Sequence, residues 1–66
     1  MPFSKEELTE AKRQIDSTLH KLRKAAEALQ AKEHPERYRS QITLARRRVQ
    51  AFELAVRLIE RELTQI

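Results

Sequence analysis

The sequence contains no glycine, no cysteine and no tryptophan, and only two of its 66 residues are proline. Without glycine, tight hairpin turns and phosphate-binding loops lack the residue on which they depend. Without cysteine, neither a disulfide framework nor a thiolate metal site can form. What is present, a chain rich in alanine, leucine, glutamate, arginine and lysine, is the composition of long helices.

The chain is short and charged: 36% of the residues are Asp, Glu, Lys or Arg, and the formal net charge is +4. Sixty-six residues are enough for one small domain, over residues 1–66, and too few for a Rossmann unit, a barrel or a kinase. No run of 18 apolar residues occurs and no apolar leader region precedes the charged sequence. We therefore expect no membrane span, no secretory signal and a cytoplasmic location.

The first helix is predicted from a capping box, Ser4 with Glu7, in which each residue satisfies the other's backbone N–H. Beyond it, large apolar residues recur every seven positions, and small residues fill what we interpret as the second position of the same seam. The large residues are Leu8, Ile15, Leu22 and Leu29, the small ones are Ala11, Thr18 and Ala25, and Leu19 and Ala26 widen the stripe by one position. Pro35 disfavours helix at His34, so the first helix is predicted over about residues 4–32.

The second helix is predicted over about residues 35–64, with apolar residues spaced alternately by four and three. This seam comprises Tyr38, Ile42, Ala45, Val49, Phe52, Val56, Ile59, Leu63 and Ile66. The break between the helices is short, so the fold class is all-α, an antiparallel two-helix hairpin.

A further apolar set lies beside the seam of the second helix and makes its apolar arc wider than one neighbouring helix can cover. Its members are Leu44, Ala51, Leu54, Ala55 and Leu58. Only 18 apolar side chains larger than alanine are available, and such small domains commonly need a staple or assembly for stability. We therefore expect a homodimer that forms a four-helix bundle, with this set at the protein interface.

Basic residues cluster near the middle of the chain, with five arginines and no acidic residue between Arg37 and Phe52. A hairpin that turns near His34 brings a second basic segment level with them. The candidate contacts to a phosphate backbone are Lys21, Lys24, Arg46 and Arg47, so binding of RNA or DNA is the alternative function. The other interpretation is that these cations form solvated helix faces, because successive residues point 100° apart.

Side chains suited to catalysis or metal binding are not grouped in the sequence. His20 and His34 are 14 residues apart without further ligands at helical spacing, and Asp16 is the natural contact of His20 four residues away. Acidic residues have basic neighbours at helical spacing, as in Arg23–Glu27, Glu53–Arg57 and Glu10–Arg13. We expect no cofactor and no enzymatic activity. The sequence favours a small non-catalytic regulatory or interaction protein whose partner, another copy or an unidentified protein, binds through helix contacts.

Overall fold

The computed structural model describes residues 3–65, which form two long helices packed side by side. Helix α1 spans Lys5–Gln30, a short 3₁₀ helix spans Pro35–Tyr38, and helix α2 spans Arg39–Thr64. The connection is so short that the helices run antiparallel, and the molecule measures 48 × 15 × 14 Å. The predicted all-α hairpin is confirmed. Within residues 3–65, neither helix combines the length and the apolar character that crossing a membrane requires.

The predicted capping box begins α1. The backbone N–H of Glu7 donates to Ser4 Oγ at 3.1 Å, and the backbone N–H of Ser4 donates to Glu7 Oε1 at 3.3 Å. Two N–H groups that would otherwise lack partners are therefore satisfied. Phe3 and Leu8 border one shallow hollow beside this cap, although Phe3 keeps 52% of its surface exposed.

The turn differs from the prediction at both of its ends. Helix α1 ends at Gln30, two residues early, with Ala31 as its C-cap, and Pro35 opens a 3₁₀ helix instead of the α-helix. Proline excludes helical geometry at His34, which has φ −127° and ψ 73°. The chain therefore re-enters the helix through one tighter turn. The ammonium of Lys32 lies 5.3 Å from the ring centroid of Tyr38 and closes this end.

In α1 the structure differs from the prediction at the second seam position, where small residues were expected. Ala11, Thr18 and Ala25 are exposed, whereas the positions one residue later, Lys12, Leu19 and Ala26, point towards α2. Leu19 and Ala26 are buried and Lys12 is half-buried. The seam of α1 thus comprises Leu8, Lys12, Ile15, Leu19, Leu22, Ala26 and Leu29. In a seven-residue repeat, the second seam residue can follow the first by three or by four residues. After Ile15 these two choices are Thr18 and Leu19. The leucine is the one that is buried, because a leucine gains more free energy from burial than a threonine.

The seam of α2 is confirmed from Tyr38 to Leu63, and its predicted last member, Ile66, lies outside the described residues. Ala45 is buried and the other members are half-buried. Across residues 3–65, the buried side chains are Leu8, Leu19, Ala26 and Ala45. One pair of helices therefore buries a thin core, because each apolar stripe has only one neighbour to cover it.

Replacing the capping serine tests the start of α1. Ser4→Ala removes the acceptor of the Glu7 N–H and is expected to lower the free energy of unfolding by about 1 kcal/mol. Urea unfolding followed by circular dichroism, at one protein concentration, measures the loss. The control is Ser17→Ala, an exposed serine inside the same helix, which we expect to be neutral or slightly stabilising. Equal effects of the two substitutions would contradict a capping role.

Candidate functional site

The two sides of the hairpin differ in charge, and the ion pairs between the helices define one of them. Arg23 Nη2 lies 2.6 Å from Glu53 Oε2, and Lys12 Nζ lies 3.8 Å from Glu60 Oε2. Arg23, Glu53 and Glu60 each directly follow a seam residue, so the positions after seam residues lie on one common side of the hairpin. We call this side, with Asp16, Arg23, Glu53 and Glu60, the ion-paired flank.

The ion pairs of this flank differ from those expected from neighbours along one helix. Arg23 contacts Glu53 across the hairpin, where the sequence indicated Arg23–Glu27 and Glu53–Arg57. Asp16 accepts from Lys12 Nζ at 2.9 Å, where His20 was expected. The predicted Glu10–Arg13 pair is confirmed, at 2.8 Å. For Arg23 and Glu53 a contact between the helices replaces the contacts expected within them, whereas the Lys12–Asp16 pair stays within α1.

Lys12 is the one charged member of the α1 seam, and it is held by carboxylates. The hydrogen bond to Asp16, followed by the nearby charges of Asp16 and Glu60, raises the pKa of Lys12 above its ordinary value of 10.5. A raised folded-state pKa means that this charge contributes to stability below pH 10.5 and that the contribution is lost as pH rises through the folded-state value. A lone cation at a seam position also favours one alignment of the helices.

The opposite side of the hairpin carries small and apolar residues. On α2, Leu44, Ala51, Ala55 and Leu58 each directly precede a seam residue, and Leu54 lies next to them on the outer face. Leu44 is 48% exposed, Leu54 60% and Leu58 51%. The five residues predicted at a protein interface therefore lie together along one side of α2, and each of the three leucines keeps about half of its surface or more exposed.

Helix α1 extends this side with small residues. Ala11, Thr18 and Ala25 also directly precede seam residues and are exposed. In an antiparallel pair, the positions that precede seam residues on both helices share a side, as the positions that follow them do on the ion-paired flank. We call the combined surface of these three residues and Leu44, Ala51, Leu54, Ala55 and Leu58 the apolar flank. The prediction from the sequence that Ala11, Thr18 and Ala25 lie in the seam of α1 is wrong. Their small size and seven-residue spacing are nevertheless the signal that identifies them as members of this flank.

The four cations proposed as phosphate contacts do not share one face. Arg46 lines a shallow hollow on the ion-paired flank together with Arg23, Glu27 and Glu53. Lys21 directly precedes a seam residue and lies on the other flank. Helical spacing places Lys24 on the outer face of α1 and Arg47 on the outer face of α2, which are opposite sides of the hairpin.

The helices are also offset relative to the alignment expected from the turn. Extrapolated along the helix axes, the Arg23–Glu53 and Lys12–Glu60 pairs place Arg47 of α2 beside about residue 27 of α1. Lys24 and Lys21 are thus three to six residues away along the axis, about 5–9 Å. Arg23, which borders the basic segment of α1, is already balanced by Glu53.

Among residues 3–65, no three His, Asp or Glu side chains come together as metal ligands. Glu10 accepts hydrogen bonds from Gln14 and Arg13, and these bonds, with that of Gln14 the larger cause, lower the pKa of Glu10. That network is exposed and lies within one helix, so it stabilises α1 locally.

Comparison with known protein families, with curated proteins and with solved structures gave no match to this chain.

Charge reversal across the ion-paired flank tests the contact between the helices. Arg23→Glu or Glu53→Arg alone places like charges together and is expected to lower the free energy of unfolding by about 0.5–1 kcal/mol, since both side chains are about half exposed. The double reversal restores an opposite pair and should recover most of that loss. Urea unfolding at low salt measures all three variants. A double variant as unstable as the sum of the single variants would show that the two side chains do not interact.

Proposed function

We propose that this protein is a small non-catalytic interaction protein that acts through its apolar flank and self-associates into a dimeric four-helix bundle. The observation that carries the proposal is the row of half-exposed leucines, Leu44, Leu54 and Leu58, along one side of α2. Single exposed leucines are ordinary on protein surfaces. Apolar residues that recur along one side at helical spacing instead mark a surface that another helix covers.

The thin core supports the same proposal. In residues 3–65 no large side chain is fully buried, and the seam of α2 is mostly half-buried. A second hairpin that packs against the apolar flank would cover Leu44 and Leu58 and add a second layer to the core. Chains of this size commonly reach stability by oligomerisation when neither a metal nor a disulfide is available.

The ion-paired flank supports the choice of the apolar flank as the contact surface. Arg23, Glu53, Lys12 and Glu60 already satisfy one another across the hairpin. Covering that flank would remove water from charged groups, which is costly. Helix α2 borders both the α1 seam and the apolar flank, so it is the central helix of the proposed bundle.

Sedimentation equilibrium at micromolar concentration tests self-association. The wild-type chain is expected to be a dimer, and Leu58→Glu should shift it to monomer, because a carboxylate would lose water at the interface. The matched control is Gln50→Glu, which adds the same charge at an exposed position that follows a seam residue. It should leave the dimer unchanged.

Three results would contradict the proposal. A wild-type chain that sediments as a monomer throughout the micromolar range would refute self-association. A Leu58→Glu variant that dimerises as well as wild type would place the contact elsewhere on the molecule. Equal weakening by Leu58→Glu and Gln50→Glu would indicate a general effect of net charge.

Nucleic-acid binding is the second candidate function. It is favoured by the exposure of Lys21, Lys24, Arg46 and Arg47, none of which has an ion pair with another residue in the range 3–65. Their distribution over both flanks and both outer faces opposes it, since one duplex contacts one side of a rod this narrow.

The salt dependence of binding separates this function from the first. Fluorescence anisotropy with a labelled RNA or DNA duplex measures the association constant at several salt concentrations. Each neutralised phosphate contributes a slope of about −0.9 on logarithmic axes. We expect no binding, or a slope no steeper than about −2, because at most two of the four cations can face the same duplex. A slope of about −4, reduced by the Arg46→Gln/Arg47→Gln double variant, would favour the nucleic-acid function.

A further inference from the structure

The apolar flank of α2 contains a second seam with its own regular spacing. Its residues alternate by four and three, as those of the first seam do, and each directly precedes a residue of the first seam. They are Leu44, Arg48, Ala51, Ala55, Leu58 and Glu62. This spacing places the side chains in a straight row that can face a second helix. Side chains of that helix can then pack as knobs into the holes between the side chains of this row.

Charge on the second seam is arranged symmetrically. Arg48 and Glu62 are its two charged members, and each lies seven residues from Ala55. Neither makes an ion pair with any residue in the described part of the chain, 3–65. The row therefore has a positive end and a negative end with apolar residues between them.

The charges on two copies of this row complement each other in only one relative orientation of the two helices. If two α2 helices run antiparallel, Arg48 of each copy approaches the partner's Glu62. If they run parallel, Arg48 faces the partner's Arg48 and Glu62 faces the partner's Glu62. Opposite charges at the edges of a helix pair favour an orientation, and like charges disfavour one.

We infer that the apolar flank is covered by a second copy of this chain whose α2 runs antiparallel to the first, with Arg48 of each copy beside the partner's Glu62. The inference rests on the proposed function, which it deepens by assigning the occupant and its direction. The two-fold axis passes close to Leu54, about midway between Arg48 and Glu62.

The centre of the proposed interface has the residue sizes that close packing requires. The alignment that brings Arg48 level with the partner's Glu62 places Ala55 against the partner's Ala55, with Ala51 one turn away on each copy, and small side chains allow helix axes to approach towards the lower end of the usual 8–10 Å. The same alignment places Leu54 beside the partner's Leu54 on the outer face, which gives the most exposed leucine an apolar contact.

The size of the flank is also adequate for a dimer. The hairpin presents a side of 48 × 15 Å, about 700 Å² in projection. Stable interfaces of standard size bury about 800 Å² on each partner. A second hairpin of the same length, laid antiparallel, covers the row from Leu44 to Glu62 on both copies at once.

Charge reversal distinguishes the antiparallel dimer from its alternatives. Arg48→Glu and Glu62→Arg, made singly, each place like charges together at both ends of an antiparallel pair and should raise the dimer dissociation constant about tenfold. The double variant, R48E/E62R, restores opposite charges and should return the constant to that of wild type. Sedimentation equilibrium measures the constants, and the control reversal is Arg57→Glu, on the side that follows the first seam.

The outcomes separate failure of this inference from failure of the proposed function. Dimers of equal strength for wild type and all three variants would refute the antiparallel contact and leave self-association through the apolar flank intact. A monomeric wild type would refute the self-association itself. Circular dichroism confirms that each variant keeps its helices, so that a weakened dimer is not mistaken for an unfolded hairpin.

Cysteine cross-linking gives a second, independent readout, because the chain has no cysteine of its own. Leu54→Cys should cross-link to itself with a short bis-maleimide, since the two copies of residue 54 flank the axis. Arg61→Cys alone should not, whereas a mixture of Arg47→Cys and Arg61→Cys should. Efficient self-linking of Arg61→Cys would show a parallel dimer and overturn the inference.

Discussion

The rest of the structure depends on the alternation of four- and three-residue steps that places one row of α1 side chains against one row of α2 side chains. With no glycine in the chain and Pro35 confined to the turn, nothing interrupts either helix, and each row stays aligned over seven turns. The alignment also determines the neighbours of the seam. Every residue before a seam position falls on one side of the hairpin, and every residue after one falls on the other.

This division explains why a chain with 36% charged residues has a row of leucines and alanines along one side, interrupted by a few charged residues such as Arg48 and Glu62. The residues that follow the seam include Arg23, Glu53 and Glu60, which pair across the helices. The residues that precede it include Leu44, Leu58 and several alanines, and about half of each leucine's surface stays exposed. The two flanks border the same seam and differ in composition, which is the basis of the proposal that a partner covers only one of them.

Much of this fold follows from local sequence. The capping box at Ser4, the break before Pro35 and the seam of α2 each depend on residues close together in the chain, and the structure confirms them. The seam of α1 is harder to predict from the sequence because Lys12 occupies one of its positions. A lysine is not counted as a core residue when a helix is searched for an apolar pattern. Leu19 is the informative residue, since a heptad counted through Leu8, Lys12 and Leu19 turns every leucine and isoleucine of α1 towards α2.

The contacts between the helices are the part that local sequence could not supply. Arg23 has Glu27 four residues away and pairs instead with Glu53, thirty residues away. The choice depends on the axial offset of the helices, which the turn sets through the 3₁₀ helix at Pro35–Tyr38. The same offset separates Lys21 and Lys24 from Arg46 and Arg47, so a basic cluster that looks compact along the chain is dispersed on the molecule.

A single apolar flank also limits the kind of assembly that the hairpin can form. A surface that is complementary to itself about a two-fold axis closes on one partner, because the same residues are used on both sides of the contact. The ion-paired flank offers no second apolar surface through which a third copy could add, and its charges favour water. The Arg48 and Glu62 ends of the second seam further oppose a partner that slides along α2, since a shift of one heptad separates each charge from its counterpart. In the antiparallel contact that we propose, the asymmetry of the hairpin therefore favours a closed pair, with α2 at its centre, over an extended array.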